Sequence, residues 1–81
     1  MKRECLELLI NNCREIEFVY RGNRYSITYY NDDRKKHISI CKFYSKTVDV
    51  STAEEALKVK IGKLTLEQIF AKLPDSAIDI F

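Results

Sequence analysis

The stretch EIEFVYRGNRYSITYY, residues 15–30, decides the fold. Apolar and aromatic residues alternate with polar ones on both sides of a short polar turn, and this pattern predicts a β-hairpin with one buried face. The alternating residues are Ile16, Phe18, Tyr20, Tyr25, Ile27 and Tyr29. Between the two runs, Gly22 and Asn23 favour a two-residue loop, because glycine takes a positive φ freely and asparagine tolerates it.

A Gly22–Asn23 loop also predicts which residues face each other across the hairpin. It pairs Arg21 with Arg24, Tyr20 with Tyr25, Phe18 with Ile27, and Ile16 with Tyr29. The large residues of the last three pairs then lie on one face, so the turn and the hydrophobic pattern agree. Three tyrosines are therefore expected on the core face, and Tyr30 is expected on the opposite face.

The segments on either side of the hairpin extend it into a sheet with a covering helix. Residues 2–13 carry an apolar stripe at helical spacing, which predicts an amphipathic helix. The stripe consists of Leu6, Leu9, Ile10 and Cys13. After a polar loop at residues 31–34, a third strand is predicted at residues 35–44, with Ile38 opposite Ile27 and Ile40 opposite Tyr25.

The end of this third strand leaves two interpretations open. Its apolar side shifts from Ile38 and Ile40 to Cys41 and Phe43, and the pattern then continues in a short fourth strand at residues 48–50. Either a bulge redirects the side chains, or the far edge of the sheet is buried on both faces.

The C-terminal half is predicted to be helical. Ser51 and Glu54 have the spacing of a capping box, which predicts a helix over residues 52–59. Thr65 and Gln68 repeat the same device in front of a second apolar stripe. That stripe is Leu66, Ile69, Phe70 and Leu73, and Pro74 is expected to end its helix.

Two further features complete the predicted fold. Gly62 is expected to take a positive φ between the two C-terminal helices. Residues 77–81 alternate in a way that allows an edge strand, and a frayed terminus is the alternative. The prediction is a single α+β domain over residues 1–81. It has an N-terminal helix, a three- or four-stranded antiparallel β-meander and two short C-terminal helices.

Composition limits the class of protein. The chain has 81 residues, of which 46% are hydrophobic and 32% charged, as in an ordinary soluble domain. No apolar run is long enough to cross a membrane, and Glu4 and Glu7 argue against an export signal. The three cysteines form an odd number without Cys-x-x-Cys spacing. Reduced thiols acting as small apolar fillers, in a cytoplasmic protein, are therefore expected.

Three segments of the sequence carry a further signal: Phe18-x-Tyr20-x-Gly22-x-x-Tyr25-Ser26-Ile27-Thr28, Ser51-x-x-Glu54-Glu55-Ala56-Leu57 and Ile61-Gly62-Lys63-Leu64-Thr65-Leu66. With these motifs the chain resembles a type of short, uncharacterised protein found in Firmicute bacteria and their phages or mobile elements. These motifs are structural. The resemblance implies no catalytic residue, but it suggests a mobile-element protein that binds and blocks a host protein.

Catalytic and metal-binding interpretations of the sequence fail on spacing. His37 and Cys41 would lie about 13 Å apart along a strand, whereas a base must approach its nucleophile to about 3 Å. Asp32 and Asp33 are more typical of a turn than of a metal site. One histidine and scattered cysteines lack the paired spacing of a zinc site. We therefore expect no enzymatic activity, no metal, no cofactor and no small-molecule substrate.

Two kinds of partner remain. Residues 14–46 hold eight Lys and Arg against four Asp and Glu, so an anionic partner of the sheet is conceivable. The candidate partner-binding residues are Arg24, Tyr30, Arg34, Lys35, Lys36 and His37. The first hypothesis is a protein-binding accessory module that contacts a partner protein or a second copy of the chain. The alternative is weak binding of single-stranded nucleic acid, with bases stacked on exposed aromatic rings. A second alternative is a small enzyme with an unrecognised site, which would require a deep pocket.

Overall fold

The computed structural model describes residues 1–42 and 47–81 and has the predicted α+β architecture. The elements, in chain order, are α1 (Arg3–Asn11), β1 (Ile16–Tyr20), β2 (Asn23–Asp32), β3 (Lys35–Lys42), β4 (Thr47–Val50), α2 (Ala53–Leu57), β5 (Lys60–Ile61), β6 (Leu64–Thr65), α3 (Leu66–Lys72), a 3₁₀ turn (Asp75–Ala77) and β7 (Ile78–Ile80). Strands β1 to β4 form the antiparallel meander, and β7 adds a fifth strand beside β1, giving the order β4-β3-β2-β1-β7. The alternation over residues 77–81 therefore does produce an edge strand.

The first hairpin has a different register from the predicted one. Tyr20 pairs with Asn23 and Phe18 pairs with Tyr25, so each pairing is shifted by two residues. The turn consists of Arg21 and Gly22, with φ values of 51° and 75°. A type I′ turn needs a positive φ at both central positions, and here Arg21 takes the place that the prediction gave to Gly22.

The second hairpin shows the same shift. Asp33 and Arg34 form a two-residue turn with φ values of 48° and 69°, where the prediction had a four-residue loop. Ile27 therefore pairs with Ile40, and Tyr29 pairs with Ile38. A shift of two residues leaves every side chain on its predicted face, so the predicted core face is confirmed although both registers are wrong.

One face of the sheet, the core face, packs against the three helices. Ile16, Phe18, Ile27 and Ile38 on this face are at most 1% exposed, and they join Leu6, Ile10, Leu66, Ile69 and Phe70 from the helices in one core. Tyr25 is buried and Tyr20 and Tyr29 are half-buried on the same face, as predicted. The other face, the open face, carries the side chains that alternate with these, including Glu17, Val19, Arg24, Tyr30, His37 and Asp49.

Helix α1 ends at Asn11, two residues earlier than predicted, because Cys13 adopts a left-handed backbone conformation that cannot continue the helix. Leu6 and Ile10 of the predicted stripe are fully buried, but Cys13 has a φ of 55° and is exposed. Cys5 is exposed as well, so the prediction that the cysteines are apolar fillers is wrong for both thiols of this segment.

Helix α2 is capped one residue later than predicted. Thr52 is the N-cap, and its side chain accepts a hydrogen bond from the backbone N–H of Glu55, whose carboxylate in turn accepts from the backbone N–H of Thr52. The helix ends at Leu57, before the predicted residue 59, because Lys60–Ile61 pairs with Leu64–Thr65 in a small separate hairpin.

The remaining predictions for the C-terminal half are confirmed. Thr65 and Gln68 form the predicted capping box of α3. The helix ends at Lys72, two residues before Pro74. Gly62 has a φ of 68° in the turn of the small hairpin.

At the end of β3 the pairing with β4 is regular. Ile40 lies opposite Val48 and Cys41 lies opposite Thr47. Cys41 is half-buried on the open face, whereas Ile38 and Ile40 are buried on the core face. Phe43, on which the choice between a bulge and two-sided burial partly depended, lies outside the described residues.

Candidate functional site

The residues predicted to bind a partner do not form one surface. Tyr30 and His37 are register partners on the open face. Arg24 lies on the same face, but six residues earlier along β2, which is about 20 Å. Lys36 projects from the core face, since it pairs with Asn31 between the turn and the buried Ile38. The predicted basic and aromatic surface is therefore divided between two faces and two ends of the sheet.

Tyr30 and His37 form the main feature of the open face. Their rings are stacked, with centroids 4.8 Å apart and planes 16° apart, and Tyr30 is 44% exposed. The Tyr30 hydroxyl donates a hydrogen bond of 2.9 Å to the Asp49 carboxylate on β4. This bond raises the pKa of Tyr30, because ionisation would place a phenolate beside a carboxylate. An aromatic surface is thus present, but it has an acidic neighbour.

Arg24 is already neutralised by carboxylates of the same face. Its guanidinium donates to Glu17 at 2.8 Å and lies 3.9 Å from Asp79 on β7. The three side chains link β2, β1 and β7 across the open face. Arg24 therefore contributes little net positive charge to that surface.

The basic residues at the β2–β3 turn, Arg34, Lys35 and Lys36, occupy three different environments. The Lys36 ammonium lies 5.5 Å from the centre of the Tyr29 ring, within reach of a cation–π contact. Arg34 occupies a turn position with a positive φ. Lys35 lies on the open face, next to its register partner Asp32. Lys35 and Lys36 therefore project from opposite faces of β3.

The structure places His37 and Cys41 on the same face of β3, two rows apart, as the strand spacing predicted. His37 is stacked on Tyr30, and the Cys41 thiol donates to the carbonyl of Lys42 at 3.2 Å. Within residues 1–42 and 47–81, no group of three or more His, Cys, Asp or Glu side chains is arranged to hold a metal ion. In the same part of the chain, no helix is long and apolar enough to cross a membrane.

A second surface, which sequence reasoning missed, lies at the β4 end of the sheet. It is an apolar groove of about 160 Å³ between the core face and the small β5–β6 hairpin. Its apolar walls are Tyr25, Ile40, Val48, Val59 and Ile61. The volume suits one or two side chains and is below the range of sites for drug-sized ligands.

The groove lies beside an edge of the sheet. Strand β4 pairs with β3 on one side and has no strand on its other side among the described residues. Its sequence, Thr-Val-Asp-Val, contains no lysine or proline of the kind that often protects an edge strand. Val48 is 46% exposed and belongs both to this edge and to the groove wall.

Lys42 and Lys60 complete the groove, and both are exposed. Among the residues that the structure describes, no carboxylate lines it. Within the same parts of the chain, neither lysine takes part in a salt bridge. Within the described chain, the groove therefore combines apolar walls with positive charge that no carboxylate compensates.

Sequence patterns alone gave no direct sign of this groove. Its walls come from four separate segments, and β5 lies in the connection between the two predicted C-terminal helices, where no strand was predicted. The sequence offered one indirect signal, which is the apolar Val48 in the predicted fourth strand. Its place in the alternating pattern predicts an apolar contact, but local patterns do not identify the residues on the other side of that contact.

Comparisons with known proteins add no functional information. No protein-family model matches the chain, and no curated protein or solved structure matches it either. The resemblance to short Firmicute proteins therefore stays a prediction.

Proposed function

We propose that the protein is a binding module that holds an extended segment of a partner protein along β4. The observation that carries this proposal is the position of the apolar groove directly beside an unpaired strand edge of the described chain. An edge strand offers backbone N–H and C=O groups to an added strand, and an adjacent pocket can accept one of its side chains. The backbone bonds supply affinity and the pocket supplies selectivity.

The β4 edge fits this function better than the β7 edge. Strand β7 has three residues, and the groove lies at the opposite end of the five-stranded sheet. On β4, the exposed surface of Val48 would contact a side chain of the added strand that enters the groove. An added strand would also bury Val48, which is an apolar side chain that solvent now reaches.

Selection from a random peptide library displayed on phage tests this proposal even while the partner is unidentified. The full chain is the bait, and the competing bait is Val48→Glu, which places a charge in the groove wall. The matched control is Val19→Glu, because Val19 is 38% exposed on the open face and receives the same substitution. Circular dichroism and urea unfolding check that all three proteins fold.

The expected result is a set of peptides enriched on the native chain and on Val19→Glu but not on Val48→Glu. In NMR spectra, these peptides should shift the amide signals of β4 and of Ile61 more than those of β1. Equal enrichment on all three baits, or no enrichment on the native chain, would contradict the proposal. Concentration-dependent dimers in sedimentation that Val48→Glu abolishes would instead identify a second copy as the occupant of the edge.

Binding of single-stranded nucleic acid is the second candidate, and the exposed Tyr30 ring beside Lys35 favours it. A labelled oligothymidylate at low salt would then bind the native chain. Replacing Tyr30 with Ala or Lys35 with Glu would weaken it, and added salt would weaken it further. Because Asp49 and Asp32 neighbour the ring, the expected affinity is low. Absence of any anisotropy change at low salt would exclude this function.

A finer proposal concerns the identity of the partner. The resemblance to mobile-element proteins supports a host protein as the target, blocked by occupation of one of its extended segments. The odd number of cysteines supports an encounter in the reducing cytoplasm.

A further inference from the structure

Asp49 lies on β4, the strand beside which the proposed partner segment binds. Its side chain is on the open face with its register partner Ser39, whereas the neighbouring Val48 lines the groove on the core face. Residues directly opposite each other on adjacent strands project to the same face. A strand added beside β4 therefore places two consecutive residues opposite Val48 and Asp49, one at the groove and the next on the open face.

The Asp49 carboxylate has room for a cation. Its Oδ2 accepts the hydrogen bond of 2.9 Å from the Tyr30 hydroxyl. Within the described chain, no salt bridge includes Asp49, and its side chain is exposed. Tyr30 thus holds the carboxylate through one oxygen, and the other oxygen can accept from a donor on the added strand.

The charge of the open face favours a cation at this point. In its described strands, four carboxylates stand against two cations, and one of these cations, Arg24, is bonded to Glu17 at 2.8 Å. The carboxylates are Glu17, Asp32, Asp49 and Asp79, and the cations are Arg24 and Lys35. A basic side chain therefore complements this face, whereas an acidic one is repelled by it.

We propose that the partner segment carries a large apolar residue and, directly next to it in sequence, an arginine. The apolar side chain enters the groove against Val48, and the guanidinium faces Asp49 across the strand pair. In an antiparallel segment the arginine precedes the apolar residue, and in a parallel segment it follows. This inference rests on the proposed function and names the chemistry of its ligand.

Arginine fits this position better than lysine. A guanidinium bonds a carboxylate through two N–H groups and also stacks on aromatic rings, which an ammonium does less well. The Tyr30 ring is 44% exposed and is bonded to the same carboxylate. Replacing the arginine of a bound peptide with lysine should therefore weaken binding.

A charge-swap experiment tests the basic position. A peptide enriched on the native chain is synthesised with a fluorescent label, together with a version in which its arginine is replaced by Glu. Both are titrated with the native chain, Asp49→Asn, Asp49→Lys and the control Asp79→Lys. Asp79 lies on the same face at the other edge of the sheet, four strands or about 19 Å away. Fluorescence anisotropy gives the dissociation constants, and circular dichroism with urea unfolding checks that each variant folds.

The arginine peptide should bind Asp49→Lys about fivefold more weakly than it binds the native chain, through loss of a cross-strand ion pair and gain of a repulsion. Asp49→Asn, which keeps an acceptor for Tyr30, should weaken binding about twofold, as loss of the ion pair alone predicts. The Glu-containing peptide should prefer Asp49→Lys, and Asp79→Lys should behave like the native chain. Added salt should reduce these differences.

Three outcomes would overturn the inference. Selected peptides without an arginine next to an apolar residue would contradict the pattern. Unchanged affinity of the arginine peptide for both Asp49 variants would contradict the role of this carboxylate. Failure of the Glu-containing peptide to prefer Asp49→Lys would show that the variant acts through something other than charge. In each case enrichment that still depends on Val48 would leave the proposed function standing, whereas loss of that dependence would remove both.

Discussion

At the scale of the residue, Tyr29 shows how one position on the core face is held by its hydroxyl as well as by its ring. The hydroxyl donates a hydrogen bond of 2.7 Å to the carbonyl of Arg14, just before β1. Burial, with smaller contributions from the nearby Cys13 and Glu15, raises the pKa of Tyr29 to about 12. The protonated phenol is therefore the form that the fold stabilises.

This shift predicts a specific dependence of stability on pH. The contribution of Tyr29 is complete below pH 10, the ordinary pKa, and is lost as the pH rises from 10 to about 12, because the unfolded chain releases the proton first. Tyr29→Phe should lower the free energy of unfolding at neutral pH by about 1 kcal/mol, through loss of the hydrogen bond. Between pH 10 and 12 its stability should fall less steeply than that of the native chain. Urea unfolding across this range measures both effects, and parallel curves would refute the assignment.

At the scale of the element, the ends of helices and hairpins depend on residues that adopt left-handed backbone without being glycine. Arg21 does so in the β1–β2 turn, and Asp33 and Arg34 do so in the β2–β3 turn. Propensity favours glycine and asparagine at positions with a positive φ, so the sequence predicted the first turn at Gly22 and Asn23. For the second turn it predicted a four-residue loop at residues 31–34 instead of the two-residue turn. The predicted faces are correct because side chains alternate with a period of two and both registers are shifted by two residues. The exact register depends on which residues adopt the left-handed conformation in each turn, and propensity does not determine this.

The end of α1 is the clearest case of this kind. The N–H of Arg14 bonds to the carbonyl of Leu9 and the N–H of Cys13 bonds to that of Ile10, both at 3.0 Å, which is the Schellman arrangement. Glycine is the preferred residue at the left-handed position, which Cys13 occupies with a φ of 55°. The helical stripe extended to Cys13 in sequence, but the chain reverses its backbone there.

Cys13→Gly should therefore stabilise the protein. Relief of left-handed strain is worth about 1–2 kcal/mol, and the extra freedom of glycine in the unfolded chain costs about 0.5–1 kcal/mol, so a net gain of up to about 1.5 kcal/mol is expected. The control is Cys5→Gly in the first turn of the same helix, which should lose about 0.5–1 kcal/mol. Urea unfolding under reducing conditions compares the two. A loss of stability in Cys13→Gly would contradict the role assigned to this position.

At the scale of the whole molecule, the fold and the candidate site differ in how far the sequence predicts them. The core follows from local periodicity, since Phe18, Ile27, Ile69 and Phe70 lie on stripes that are visible in the sequence, and all are at most 1% exposed. The groove depends on where β5 lies against β3 and β4. That placement is a tertiary relation between segments that carry no common local signal.

The contact that joins helix and sheet is an aromatic cluster at the centre of the core. Phe18 stacks on Tyr25 with ring centroids 5.1 Å apart, and Phe70 of α3 meets Phe18 edge to face at 4.8 Å. Both arrangements are favourable for aromatic pairs beyond the area that they bury. Phe70 thus connects the C-terminal helix to the first hairpin, two parts that are distant in sequence.

Removal of this connection should lower the free energy of unfolding strongly. Phe70→Ala is expected to cost about 3–5 kcal/mol, a large part of the roughly 4–12 kcal/mol that a domain of this size has available. Phe70→Leu should lower the free energy of unfolding by less than about 1.5 kcal/mol through the change in side-chain size and shape. Loss of the aromatic contact should lower it further, by about 0.5–1.5 kcal/mol. Phe81→Ala is the matched control, because Phe81 is 60% exposed and its loss should change stability by no more than about 0.5 kcal/mol. Thermal and urea unfolding followed by circular dichroism rank the stabilities of the three variants. An equal loss of stability in Phe70→Ala and Phe81→Ala would mean that the helices do not pack on the sheet through this cluster.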